Sequence, residues 1–117
     1  MTSPTQRSKA KLIAEGYTVA ITERWNQFAH VRQDLFGFAD MVAVRIGTTG
    51  VLAVQTTSGS NVSARVEKIR NEPRAGIWLA CGNRIEVHGW RKVGPRGKRK
   101  TWECRVVDSK EFLEIVK

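Results

Sequence analysis

The sequence contains no run of about 18 apolar residues, which excludes an ordinary membrane-spanning helix. Cysteine is scarce. Cys81 and Cys104 lack CxxC spacing, and the two histidines, His30 and His88, stand apart from them, so no structural zinc site is expected. Both cysteines lie in apolar, strand-like runs, where reduced core thiols of a cytosolic protein are expected. The opening MTSPTQRSKAKLI is basic without an apolar signal core, so a cytoplasmic location is expected. Acidic residues are few, 11 against 20 Lys and Arg, giving a net charge of +9. That imbalance points to a polyanionic partner, in the first place DNA, because counterion release favours basic proteins on nucleic acid. No repeat, linker or composition break divides the 117 residues, a length suited to one domain over 1–117. No small-molecule cofactor is expected.

The chain is organised around Asp34 to Thr57, DLFGFADMVAVRIGTTGVLAVQTT. Met41–Val44 and Val51–Val54 read as strands apolar on both faces, as strands covered on both sides are. Asp40, Gln55 and Thr57 interrupt them. Burying a carboxylate is costly unless it is paired, hydrogen-bonded or bound to a metal. If Ile46 pairs with Val51 across the turn Gly47-Thr48-Thr49-Gly50, Asp40 lies opposite Thr57 with Gln55 diagonal to it. All three then project from one sheet face. A carboxylate, an amide oxygen and a hydroxyl so placed begin a hard-cation site. The competing readings are a loop hydrogen bond for Asp40 and ordinary strand-end polarity for Gln55 and Thr57.

Before this stretch, residues 4–15 predict a helix with Ser3 or Thr5 as cap and Gly16 as stop. Residues 17–25 predict a strand whose end brings Glu23 near Asp40. Residues 26–35 connect the two strands and carry His30, Arg32 and Asp34. After it, residues 61–72 predict a helix that buries Val62, Val66 and Ile69. Asn61, Arg65 and Lys68 share a face flanking that stripe, and Pro73 ends the helix. Residues 76–82 predict an apolar strand, and 84–93 with 101–108 a hairpin. Arg91, Lys92, Arg96, Lys98, Arg99 and Lys100 give the hairpin a cationic tip suited to duplex phosphates or, alternatively, a solvated loop. The tryptophans read mostly as core, with base stacking by Trp90 as a lesser alternative. The tail SKEFLEIVK predicts a short helical turn.

Helix, three strands, helix, strand and hairpin, with Asp40 in Phe38-Ala39-Asp40 and a polar pair on the third strand, resembles the PD-(D/E)XK nuclease superfamily. Its small Holliday-junction-resolvase-like members are most similar. The element order matches over residues 4–82 and the motif over 34–57. The resemblance implies an α/β fold: a restriction-endonuclease-like core of helix, three-stranded antiparallel meander, helix and strand, followed by a C-terminal β-hairpin. It also implies a metal-dependent endonuclease that hydrolyses DNA phosphodiester bonds with Mg2+ or Mn2+, possibly on branched or junction DNA and then as a homodimer. Asp40 takes the place of the family's metal-binding aspartate. Gln55 replaces the third-strand acid, as in some relatives, and Thr57 replaces the lysine. The family tolerates a lysine moved to the following helix, which points to Lys68 or Arg65. The family's first-helix Glu has no counterpart before Gly16, where Thr5 and Gln6 stand. Asp40, Gln55, Thr57 and Lys68 are thus the expected catalytic set. Asp40, Gln55, Asp34 and Glu23 are the expected metal ligands, with Arg32 and Arg65 as further phosphate contacts. DLFGFAD with VLAVQTTSGSNVSARVEKI is also similar to an uncharacterised family of small basic bacterial and phage proteins, which implies a bacterial or phage-infected cytoplasm. The missing lysine at Thr57 and the missing first-helix Glu leave two alternatives: a catalytically inactive DNA-binding domain of the same fold, or an accessory subunit of a larger nuclease.

Overall fold

A computed structural model describes residues 2–116; Met1 and Lys117, the two ends of the expected 1–117 domain, lie outside the described residues. Helix α1 (Pro4–Ala14) starts with Pro4 in its first turn and the Ser3 side chain accepting from the Gln6 N–H. Strand β1 (Thr18–Ile21) follows, then a small hairpin of β2 (Arg24–Asn26) and β3 (Val31–Gln33), then β4 (Met41–Val44) and β5 (Leu52–Ser58). Helices α2 (Val62–Arg70) and α3 (Pro73–Ala80) lead to β6 (Arg84–Val93) and β7 (Thr101–Val107). Short 3-10 segments cover Gly59–Asn61 and Ser109–Ile115.

Five strands form one mixed sheet in the order β1-β4-β5-β6-β7, and β2-β3 stand apart from it. Strands β5 and β6 are parallel, so they need a crossover, and α2 and α3 provide it. Alternation sorts the core onto two faces. Leu12 of α1 packs with Tyr17, Met41, Ala43, Leu52 and Val54 on one side. On the other, Val62, Val66 and Ile69 of α2 pack with Ala53, Ile85 and Val87. Strand β5 is buried from Leu52 to Thr57, its polar residues Gln55, Thr56 and Thr57 included. No helix among the described residues is long and apolar enough to cross a membrane.

The structure corrects four expectations. The β4–β5 register pairs Met41 with Val54, so continuing it by one residue sets Asp40 against Gln55 rather than Thr57. The connecting turn is wider than Gly47–Gly50. Thr48 N–H returns to Arg45 C=O, and Val51 N–H bonds the Asn83 side chain instead of Ile46. The slip is two residues, so every side chain keeps its face. Strand 17–25 breaks at Thr22 and Glu23, whose N–H groups both turn to the Asp40 carbonyl. Of residues 76–82, Gly76–Ala80 are helical and Cys81 and Gly82 form the turn after them. Pro73 opens α3 as well as closing α2, with the Glu72 carboxylate accepting from the Arg74 N–H. A short apolar run is equally compatible with a buried strand or helix, and the cap decides it here. The strand after the crossover is therefore β6, the first arm of the expected hairpin. Finally, Cys81 is exposed and Cys104 half-buried on β7, so neither is a core thiol.

Gly89 sets how closely α2 sits on the sheet, because a Cβ there would lie 2.2 Å from Val62 Cγ2. Gly89→Ala is expected to cost about 1–3 kcal/mol by overpacking. Urea denaturation will show it as a lower midpoint at unchanged slope; an unchanged midpoint would refute this packing.

Candidate metal centre

Three local devices bring acidic side chains to the start of β4. The first is a double backbone bond: Thr22 and Glu23 N–H both donate to Asp40 C=O, at 2.9 and 3.1 Å, which fixes Glu23 beside Asp40. Thr22 Oγ1 adds a 2.9 Å bond to Ala39 C=O. The second is the loop 34–39. Leu35 and Ala39 pair across it, and Phe36 and Gly37 turn it with positive φ of 53° and 79°. Gly37 N–H donates to Asp34 C=O, so Asp34 folds back alongside Asp40. The third is burial. Phe38 and Ala39 are core residues and carry Asp40 in with them. Ligand oxygens of Glu23, Asp34 and Asp40 consequently lie within 4.8 Å of one another. Oxygens on opposite sides of an ion stand about 4.2 Å apart for Mg2+ and about 4.8 Å for Ca2+, so the spacing suits a hard divalent cation.

Asp40 is 4% exposed and highly constrained. Its Oδ2 accepts from Gln55 Nε2 at 2.8 Å, Thr56 N–H at 2.7 Å and Thr56 Oγ1 at 3.1 Å. Burial pushes its carboxyl up from 3.8 to about 7, assisted by a proton shared with Asp34 and by the charges of Asp34 and Glu23; the Thr56 N–H opposes the rise. Carboxylates this crowded need either protons or a cation.

Gln55, 2% exposed, supplies an independent sign. Its amide nitrogen is used on Asp40, but its Oε1 is buried with no hydrogen-bond partner. Orphaned buried acceptors are uncommon in native structures. A neutral carbonyl oxygen on the residue that bonds Asp40, added to the three carboxylates, would make the donor set of a magnesium-class ion. The residues present therefore fit the expected metal.

A cavity of about 380 Å³ opens onto this cluster, lined by Glu23, Asp34, Asp40, Gln55, Thr56 and the N-terminal turn of α1 from Ser3 to Thr5. Arg32 and Arg65 complete the lining. Arg32 lies 3.4 Å from Glu23, and Lys68 Nζ reaches Asp34 Oδ2 at 3.3 Å. The sequence-predicted ligands Asp40, Gln55, Asp34 and Glu23 are thus brought together, with Lys68, Arg65 and Arg32 at the rim. Thr57 is buried one position beyond, in register with Gly89, and makes no hydrogen bond to Asp40 among the described residues. Thr56 does, and its hydroxyl also meets Thr5 Oγ1 at 3.2 Å, which in turn reaches Glu23 at 3.3 Å. Thr56 was not foreseen: strict alternation sends it to the α1 face. Thr5 was noted only for its place in the first helix.

The basic arm leaves the same end of the sheet. Gln55 is in register with Val87, and β6 continues to Val93, about 20 Å further at 3.3 Å per residue. Arg91 pairs with Glu103 at 3.3 Å, while Arg96, Lys98, Arg99 and Lys100 are exposed in the tip. Lys92 and Arg7 lie over the Trp102 ring. Trp90 is a packing residue whose indole N–H donates to Ser8 Oγ at 2.8 Å. Ser8 Oγ also bonds His88, and His88 bonds Glu86. Ser8 and His88 are fully buried, so this serine and histidine anchor α1 to β6 and have no access to a substrate.

No family model, curated protein or solved structure matches the chain.

Proposed function

We propose that the chain is a metal-dependent endonuclease of the PD-(D/E)XK type that hydrolyses DNA phosphodiester bonds. The observation that carries this reading is the unpartnered Gln55 Oε1 beside the Glu23–Asp34–Asp40 cluster. The arrangement of α1, the β1-β4-β5 meander, the α2 crossover and parallel β6 supports a restriction-endonuclease-like core. In this reading Asp40, Glu23, Asp34 and Gln55 hold Mg2+ or Mn2+. The chemistry supplied by the bound ion is activation of a water and polarisation of the phosphoryl oxygen. Arg65 and Arg32 place the scissile phosphate over the carboxylates. Lys68 leaves Asp34 to face the charge that develops on phosphorus, where a fixed cation is most effective. Arg91, Lys92, Arg96, Lys98, Arg99 and Lys100 track neighbouring phosphates without reading sequence. Resolution of a four-way junction would require two such sites, hence a homodimer. Thr57, where the superfamily has its lysine, favours the second reading: a DNA-binding domain or accessory subunit without chemistry of its own.

Cleavage of linear, nicked and four-way-junction DNA in Mg2+, Mn2+ or EDTA separates the two. The expected result is cutting in either metal, none in EDTA, and a loss of at least about 100-fold in Asp40→Ala, since even partners behind a metal ligand cost 10–100-fold. Binding without cutting in both metals would sink the nuclease reading. Cutting that survives Asp40→Ala would sink the site.

A further inference from the structure

The β2–β3 hairpin is not accounted for by the metal centre, although it grows directly out of it. Arg24 pairs with Gln33, Trp25 with Arg32 and Asn26 with Val31. At the tip Phe28 is 98% exposed, and Trp25 on the arm is 54% exposed. Among the described residues the aromatic partner of this pair is His30, which meets Trp25 edge-on at 6.3 Å. Yet the tip is ordered by its own bonds. Asn26 Oδ1 accepts from Phe28 N–H at 2.9 Å and from Ala29 N–H at 3.0 Å, and His30 closes the turn with φ of 54°. The hairpin thus presents two exposed aromatic rings, Phe28 and Trp25, on a turn that is already formed.

The charges around these rings identify a partner. Residues 24–33 contain Arg24 and Arg32 and no acid. Arg32 shares a hairpin face with Trp25 and lines the carboxylate cavity. Two copies of a chain of charge +9 meeting through this hairpin would oppose arginines to arginines. One hairpin tip also falls short of the roughly 800 Å² per partner of a stable interface. The geometry points to a base-stacking wedge: Phe28 inserts at an unstacked base of discontinuous DNA, and Arg24 holds an adjoining phosphate, while Arg32 stays at the carboxylate cavity. Apolar side chains enter weakened base steps in this way, and aromatic rings stack on any base. The inference rests on the DNA reading above and adds the feature of the substrate that is recognised. Glu23 and Asp34 close the base of the hairpin, five and six residues from Phe28. At about 3.3 Å per residue the tip stands no more than about 20 Å from the carboxylates, or roughly six nucleotide steps.

The test uses the full chain in EDTA, so that it does not depend on cleavage. Anisotropy measures binding to an intact duplex and to the same duplex with a single bulged 2-aminopurine. The parent chain is expected to prefer the bulge by about tenfold or more and to change the 2-aminopurine emission. Phe28→Ala should erase the preference and the emission change while leaving affinity for the intact duplex within about twofold, since only stacking is lost. Phe28→Trp should keep both. The exposed position leaves the fold intact, which circular dichroism verifies. A bulge preference that survives Phe28→Ala overturns the wedge, as does equal weakening on both duplexes or absence of DNA binding by the parent. So does Phe28→Ala dissolving a dimer in sedimentation while leaving DNA binding unchanged. A protein that passes this test but never cuts DNA loses the nuclease reading and keeps the wedge. One that cuts DNA but is indifferent to Phe28 does the reverse.

Discussion

At pH 8 and without divalent ions, Asp40→Asn is expected to unfold at a higher temperature than the parent chain, by about 5–15 °C. The reason is the direction in which the site moves its proton affinity. Burial, with Asp34 and Glu23 beside it, pushes Asp40 up to about 7 from an ordinary 3.8, so the folded chain holds this proton more tightly than the unfolded chain does. Stability from that proton is fully present below about pH 4 and is lost as pH rises through about 7. At pH 8 the folded state carries the full cost of a buried carboxylate among carboxylates, at most about 4 kcal/mol from 1.4 kcal/mol per pH unit. Asparagine removes the charge and keeps the bonds. Its oxygen can take the three donors now on Oδ2, and its amide faces the other acids in place of Oδ1. Thermal unfolding between pH 5 and 8 should therefore slope downward for the parent and flatten for Asp40→Asn. Millimolar Mg2+ should raise the parent's midpoint at pH 8, do little at pH 5 and do nothing for the variant, because binding stabilises only the state that offers the ligands. A variant less stable than the parent at pH 8 would mean that the carboxylate is satisfied without a cation.

How much of this could be read beforehand depended on whether each feature is local. Asp40 and Gln55 were found together because alternation survives the two-residue slip that the wide Arg45–Val51 turn introduced. Glu23 and Asp34 were only nominated. Their convergence rests on a shared carbonyl at Asp40 and on positive φ at Phe36 and Gly37, neither of which leaves a periodic trace. The β2–β3 hairpin went unseen because strands of three residues show too little alternation to count. Helix α3 is hidden in the sequence because Gly-Ile-Trp-Leu is apolar in any conformation, whereas Pro73 with its Glu72 cap carries the information. Thr56 escaped because Asp40 sits at the strand end, where the chain turns away from the sheet and strict alternation no longer predicts its neighbours.

Gln55→Glu tests why an amide stands beside Asp40. Gln55 Nε2 is a donor 2.8 Å from Asp40 Oδ2; glutamate would put an oxygen there and a fourth carboxylate into the cluster. In EDTA at pH 8 this buried charge has no partner, and a loss of about 3–5 kcal/mol is expected, the cost of an uncompensated buried ion. Below about pH 5 the added acid takes up a proton and can donate to Asp40, so the deficit should shrink. With Mg2+ the order reverses, because another charged oxygen ligand strengthens a hard-cation site. The metal-induced rise in melting temperature should exceed the parent's, and calorimetry should give a tighter Mg2+ affinity. Gln55→Leu, lacking both donor and acceptor, should lose stability and gain nothing from the metal. If Gln55→Glu equals the parent in EDTA, or responds no better to Mg2+, Oε1 does not face the ion and the site must be drawn without it. The expected outcome gives Gln55 a physical reason. Glu23 and Asp34 already provide the negative charge of the cluster, and an amide donor on Asp40 is what allows three carboxylates to share one corner before a cation arrives.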